Sequence, residues 1–317
     1  SSSSSSSSLI ASYSCLLIKI NKRSPVIFNL HNSKFEIVGH EKTKLIKLSK
    51  VHDIFTRSRL QKKTALEFFL MNGKSYLIDF APTSSLTVLK QINGLNLHSK
   101  RVFENDDYSS FIEKSNIIQK WQMRNITTFD LLMNLNIFSG RSFHDSENYI
   151  IFPWVLAFAN SKTLRNFDRP MAAQTDARFN YYKKKLEQGE EMPEMSNFVF
   201  GSAPSNAMLL SYYFVRMEPF TSLHLKVHDG KFDVLNRIFR SVDGFFAGMS
   251  SSDDSRESAP EFYSMPEMFF DMEKIKVYND QCEAKKEDEK EGATDDAAIA
   301  QSEETASQEE TVKNEDV

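Results

Sequence analysis

The amino-acid sequence predicts an α+β chain: a small antiparallel β-barrel closed by one helix, packed on a mainly α-helical portion with extended, non-regular core segments. Three observations carry this. Residues 13–80 are short apolar or alternating runs separated by polar turn clusters. One amphipathic helix pattern follows them directly. Beyond Trp121, helix patterns alternate with apolar stretches that have neither the helical nor the strand period.

The strand runs are Cys15–Ile20, Pro25–Phe28, Phe35–Val38, Lys44–Leu48, Ala65–Leu70 and Ser75–Phe80. Turns are expected at Asn21–Ser24, His31–Ser33 and Gly39–Glu41. Asn72-Gly73 marks a hairpin between the last two runs, because both residues tolerate positive φ. Pro82, Thr83 and Ser84 then offer a helix start, with Leu86, Val88, Leu89 and Ile92 as its apolar face. Residues 96–120 read as a polar linker with apolar residues at Phe103, Phe111, Ile117 and Ile118. Thr127 and Asp130 form a capping box that opens a helix through Leu135, with Gly140 to end it. Further helices are expected at 204–218, stopped by Pro219, and at 233–240. Tyr149–Leu156 is too apolar for a surface loop and too broken by Pro153 for a helix, so it is read as extended backbone in a core.

Composition bounds the function. Of the 317 residues 40% are hydrophobic, and 26 phenylalanines against 2 tryptophans read as core material. The net charge of −4 is uneven: residues 283–317 hold 13 Asp/Glu and 4 Lys/Arg, which leaves +5 on the rest. That surplus is too dilute for a nucleic-acid partner. Residues 278–317 are expected to be a disordered acidic tail, because nothing there offsets the entropy of ordering it. Cys15 and Cys282 form neither a metal-ligand spacing nor a disulfide framework, which suits a reducing, cytoplasmic setting. No apolar run approaches the roughly 20 residues of a membrane-spanning helix. Residues 1–12 are a Ser-rich, low-complexity leader without the basic start and apolar stretch of a signal peptide, and the chain reads as a fragment of a longer product.

Candidate chemistry is sparse. Ser142, His144 and Asp145 invite a hydrolase reading, but residues so close in sequence rarely meet as a relay, and no strand–Ser–helix elbow surrounds Ser142. They read as a turn or a structural hydrogen-bond network. His224 and His228, four apart, lack a third ligand. No glycine-rich phosphate loop is present. No catalytic residue, metal, cofactor or small-molecule substrate is therefore assigned. Lys19, Lys22 and Arg23, on the first strand and its turn, are the candidates for contact with anionic lipid; a solvated turn is the plainer reading. Phe152, Trp154 and Phe158 could line a partner groove but read better as core.

From Trp121 onward the sequence resembles the BEACH family. The residues that carry this are Trp121, Leu131-Leu132-Met133, Leu135-Asn136, Gly140-Arg141, Asp145 and Phe152-Pro153-Trp154. Leu164-Arg165, Arg169-Pro170-Met171, Gln174, Phe200-Gly201-Ser202, Arg216 and Glu218-Pro219-Phe220-Thr221 follow in the same order. Gly230–Asp233, Arg237–Phe239, Glu257, Pro260–Tyr263 and Met265–Glu267 complete it. The family usually has Tyr-Pro where Tyr149-Ile150 stand, and Ser-His-Tyr-Ser where Ser202–Ser205 stand. Its final third and the WD40 repeats that commonly follow have no counterpart here. The preceding strands resemble the PH-like module found before BEACH, notably at Thr64–Phe69.

The resemblance implies a PH-like domain at 13–95, a linker at 96–120 and the front part of a BEACH domain at 121–277. It implies a non-enzymatic scaffold in vesicle trafficking or membrane dynamics, with unidentified protein partners. Its locale would be cytoplasmic and peripheral to endomembranes. Asn136, Arg141, Asp145, Trp154 and Arg216 are the binding-site residues it singles out. Arg141, Asp145 and Arg216 are further expected to be buried polar groups, with Asp145 as counter-charge for an arginine that ties the carbonyls of 149–156. Peripheral binding of anionic lipid is the alternative function.

Overall fold

The computed structural model describes residues 8–95, 101–103, 108–156, 162–190, 205–234, 237–249 and 257–269. The acidic tail, the Ser1–Ser7 part of the leader, Phe158 and Phe200–Ser202 lie outside the described residues. Contacts divide the chain into two compact units, Ser1–Leu210 with Val242–Pro266, and Ser211–Ser241 with Glu267–Val317.

The first unit opens with a curled antiparallel sheet. Its strands are β1 (Leu9–Lys19), β2 (Lys22–His31), β3 (Lys34–Val38), β4 (Thr43–Lys47), β5 (Val51–Arg59), β6 (Lys62–Leu70) and β7 (Ser75–Asp79). Helix α1 (Ser85–Asn93) follows, and β8 (Arg101–Phe103) adds to β5 in parallel. The strand order is β4-β3-β2-β1-β7-β6-β5-β8. β1 begins at Leu9, inside the stretch read as leader.

Turn chemistry sets the register. β1 and β2 pair down to Lys19 opposite Lys22, so the turn is Ile20-Asn21, earlier than expected. Gly73 adopts φ +79° between β6 and β7, where the Leu70 N–H donates to the Lys74 carbonyl at 2.8 Å. Ser84 caps α1, its hydroxyl accepting the Leu86 N–H. The inner core stacks Phe28, Phe35, Phe68 and Phe80, with ring centroids 4.9–5.8 Å apart. Val88, Leu89 and Ile92 of α1 join this core.

β5 was not expected. Its sequence, Val-His-Asp-Ile-Phe-Thr-Arg-Ser-Arg, hides the apolar pattern, and its hairpin to β6 turns on Leu60 and Gln61 at φ 47° and 62°. Neither residue signals a turn that needs positive φ. β5 is nonetheless buried on both faces. Ile54 enters the inner core, while Phe55 joins a second core with Ile117, Leu131 and Phe138.

That second core is supplied by α2 (Tyr108–Ser115), α3 (Ile117–Gln122) and α4 (Thr128–Phe138). Phe111 and Ile118, from the stretch read as linker, pack into it. The Thr127–Asp130 capping box forms as expected. Gly140, at φ +90°, ends α4: the Gly140 N–H donates to the Ile137 carbonyl and the Arg141 N–H to that of Asn136. Helices α5 (Asp176–Glu190), α6 (Ala207–Tyr213), α7 (Phe220–Val227), α8 (Val242–Met249) and α9 (Glu261–Ser264) follow, with short 3-10 turns at Leu48–Lys50, Met171–Ala173 and Pro266–Phe269.

Two expected helices differ. α6 starts after Asn206, whose Oδ1 accepts the Leu209 N–H, and it stops at Tyr213 well before Pro219. The Val215 carbonyl bonds the Thr221 hydroxyl at 2.8 Å instead of a helical N–H. At 233–240 the expected helix differs among the described residues: the Asp233 N–H donates to His224 Nε2 at 3.1 Å, and the Arg237 N–H donates to the Val234 carbonyl in a single 3-10 turn.

Because Phe55 bridges sheet and helices, Phe55→Ala should cost about 3–5 kcal/mol. After cleavage between residues 96 and 107, the wild-type pieces should co-elute in native size-exclusion chromatography. Separate elution of two folded pieces would contradict a shared core.

Candidate functional site

The segment after α4 is held against the sheet by buried charge. The Arg57 guanidinium donates from Nε to Glu67 at 2.7 Å, with both side chains at most 2% exposed, and from Nη1 to the Ile137 carbonyl in the last turn of α4 at 2.8 Å. The other Glu67 oxygen accepts the Ser142 hydroxyl at 2.7 Å. Arg59 forms a buried ion pair with Asp145, which also accepts the Glu147 N–H and the Asn148 amide. The expected partnership of Asp145 with Arg141 is thus corrected: the counter-charge comes from the unforeseen strand β5.

This seam also disposes of the hydrolase arrangement. The Ser142 hydroxyl donates to Glu67 and accepts the backbone N–H of His144. The His144 ring bonds Ser75 at 3.0 Å, and Asp145 faces Arg59. The three side chains therefore engage three different sheet residues rather than one another.

Arg141 serves the extended segment. Its Nη1 donates to the Tyr149 carbonyl at 2.9 Å and the Ser205 hydroxyl at 3.0 Å, and burial pulls its pKa down. Asn136 clamps the next peptide: its Nδ2 donates to the Ile151 carbonyl at 2.8 Å and its Oδ1 accepts the Ile151 N–H at 3.0 Å. Phe152 exchanges two backbone bonds with Ser258 at 2.7 and 2.9 Å. The Trp154 N–H donates to Glu257, which is also paired with Arg165. Tyr149–Trp154 is therefore extended core backbone whose polar groups are met largely by side chains.

Phe152 packs on Phe129 and Tyr263, and Trp154 on Phe245, Phe246 and Phe262. Both are core, as their surroundings suggested. The Tyr149 hydroxyl donates to Glu261 at 2.6 Å, and burial raises the pKa of both groups.

Arg216 belongs to the second unit. It lies in the turn after α6 rather than at a helix end, and burial lowers its pKa. In that unit His224 and His228 stack at 4.2 Å. His224 Nε2 accepts from the Asp233 backbone, and His228 Nδ1 lies 2.9 Å from the His224 carbonyl. Among the described residues no group of three or more His, Cys, Asp or Glu could hold a metal ion, and no helix is long and apolar enough to cross a membrane.

One open cleft, about 530 Å³, runs between the sheet and the loop carrying Phe143 and His144. Lys19, Lys44 and Lys74 line it with Ile20 and Tyr76, and no lining residue is acidic. The Lys44 ammonium sits 4.7 Å from the centre of the Tyr76 ring. Burial lowers the Lys44 pKa, and the charges of Lys19 and Lys74 add to this. Of the lipid candidates only Lys19 lines the cleft; Lys22 and Arg23 are exposed beside it in sequence but not part of its wall. Lys44 and Lys74 carry no signal in the linear sequence, because only the pairing of distant strands brings them to Lys19.

Asp145→Ala and Arg59→Ala should each destabilise the chain by about 3–5 kcal/mol, since each strands a buried charge. The double variant should lose much less than their sum in thermal unfolding, and additive losses would refute the pair. For Glu261, the folded-state pKa lies above the unfolded value. Its contribution is complete below the unfolded pKa and is lost as pH rises through the folded one. Glu261→Gln should therefore gain in melting temperature relative to wild type as pH rises above the ordinary carboxylate range. A difference that does not change with pH would contradict this.

Comparison with known proteins places these features in a family. The model of the Beige/BEACH domain matches residues 119–290, more than half of the chain. The BEACH domain-containing protein lvsE of Dictyostelium discoideum is 34% identical over 245 residues, covering 72% of this chain and 11% of that protein. Protein SPIRRIG of Arabidopsis thaliana is 32% identical over 244 residues, covering 70% of this chain and 7% of that protein. The chain thus spans about a tenth of the length of the curated relatives it matches. Among solved structures, the hSac2 domain from human phosphoinositide phosphatase Sac2 matches 32% of this chain and 79% of that chain. Its identity is 9% and its TM-score 0.27, too slight a likeness to carry an argument. The family match covers α4, the buried seam after it and the clamped segment 149–154, and on it the chain belongs to the BEACH family.

Proposed function

We propose that the chain is a non-enzymatic scaffold or adaptor that acts in vesicle trafficking or membrane dynamics by recognising a protein partner. We further propose that β1–β7 with α1 form a PH-like module and that the recognition surface is the cleft beside Phe143. The observation that carries this reading is the fate of the motif's reactive-looking side chains. Ser142, His144 and Asp145 are each bonded to the sheet, so the polar groups of this region hold structure. The cleft beside them keeps solvent-facing groups: Phe143 is 40% exposed and Lys74 stands on a turn. Membership of the BEACH family supports the trafficking role, and a cytoplasmic, membrane-peripheral site of action accords with it. The second reading, contact with anionic lipid, is favoured by the exposure of Lys22 and Arg23.

Phe143→Glu tests the first reading. Proteins that bind the immobilised wild-type chain saturably from cell extract should be lost from the variant while its circular dichroism shows it still folded at the working temperature. Identical recovered sets would overturn the cleft as the recognition surface. Sedimentation with anionic liposomes, comparing wild type with the Lys22→Ala, Arg23→Ala variant, tests the second reading. Pelleting that needs those two residues, with no Phe143-dependent partner, would favour lipid.

A further inference from the structure

The chemistry of the cleft narrows what it can hold, given that it is the recognition surface. Its three ammonium groups come from β1, β4 and the β6–β7 turn, so three separate pieces of chain bring like charge to one place. Among the described residues none of the three has a carboxylate partner. The carboxylate beside the lining residue Ser75 is already committed: Glu67 bonds Arg57 and Ser142. An ordinary solvated face intersperses charges of both signs, which lowers its self-repulsion. Here Lys44 is half-buried against Tyr76, with like charge beside it, and nothing in the wall offsets that. A negatively charged occupant would relieve the repulsion and gain from the partly dry setting.

The remaining wall argues about the kind of anion. Ile20, Tyr76 and the exposed face of Phe143 are apolar surface between the lysines. A simple phosphate group has nothing to place there, whereas a peptide alternates side chains of different character along its length. We infer that the cleft binds an extended peptide segment of a partner protein, with carboxylates directed to Lys19, Lys44 and Lys74 and an apolar side chain seated against Phe143 and Ile20. This inference rests on the cleft being the recognition surface named above and adds the chemical class of its partner.

Selection from a displayed random peptide library, on the wild-type chain and on the Lys44→Glu, Lys74→Glu variant, tests it. Sequences recovered on wild type should be enriched in Asp and Glu around one apolar residue, and the enrichment should vanish on the variant. A peptide so selected should bind roughly tenfold more weakly to Lys44→Glu or to Lys74→Glu alone, and more weakly as salt is raised. Lys74 is exposed on a turn, so its variant keeps the fold and stands if Lys44→Glu unfolds. Enrichment without acidic residues, or equal enrichment on both proteins, overturns the inference. So does pelleting with phosphatidylinositol bisphosphate vesicles that needs Lys44 and Lys74 when no acidic peptide is selected. Partner recovery that depends on Phe143 but is indifferent to both lysine reversals would sink the acidic class alone and leave recognition at the cleft intact.

Discussion

The arrangement of the first unit depends on burying β5 from both sides. A sheet of this size can leave one face to water, and then its outer residues are polar and free. Here the outer face of β5 carries Phe55 next to Arg57, so part of it must be covered by apolar helices and part must find charges of opposite sign. Glu67 of the neighbouring strand β6 takes the charge of Arg57, and most of the remaining demand is met by one stretch of chain. α4 supplies Leu131 and Phe138, and the turn that follows supplies Asp145 and Ser142. A buried ion pair adds little over an apolar contact of the same shape, but it is costly to break on one side. Its contribution here is register: Arg57 bonds the Ile137 carbonyl only if α4 ends where Gly140 lets it end.

From that fixed point the extended segment follows. A peptide chain in a core without helix or ladder has donors and acceptors that must be met one by one. Asn136 and Arg141 lie on either side of the helix terminus that the seam positions, and between them they engage the peptides of Tyr149 and Ile151. Ser258 and Glu257 meet Phe152 and Trp154 from a stretch more than a hundred residues later in sequence. A side-chain amide that bonds both the N–H and the carbonyl of one residue replaces a neighbouring strand at that residue. This is why a short asparagine, and not a longer or charged group, suits position 136.

Much of this was legible from sequence, and what was not has a common cause. The alternating runs of β1, β2 and β3, the Asn72-Gly73 turn, the α1 cap and the Thr127–Asp130 box are local signals, and local geometry bears them out. Core placement of Phe152 and Trp154 also followed from local apolar density. β5 escaped because Asp53, Arg57 and Arg59 break its pattern, and the two arginines are buried by partners far away in the chain, the Ile137 carbonyl and Asp145. The Leu60-Gln61 turn escaped because its backbone is left-handed without glycine. α6 ends at Tyr213, short of Pro219, because a proline says where a helix cannot be and not where it ends. The lysine cleft escaped because a sheet brings together residues that a linear pattern keeps apart.

The same distinction bears on function. The residues by which the family is recognised are those that hold backbone and charge in place: Asn136, Arg141, Asp145, Trp154, Glu257 and Glu261. A change at any of them acts on the fold before it acts on a partner. Lys44, Lys74 and Phe143 face the other way. They line the cleft, Phe143 with its ring also packed on Tyr149 and Lys44 half-buried over Tyr76, and each keeps part of its surface to solvent there. A motif built from structural necessity can therefore name the family of a chain without naming what the chain binds, and the chemistry of recognition has to be read from the surface that the motif leaves unconstrained.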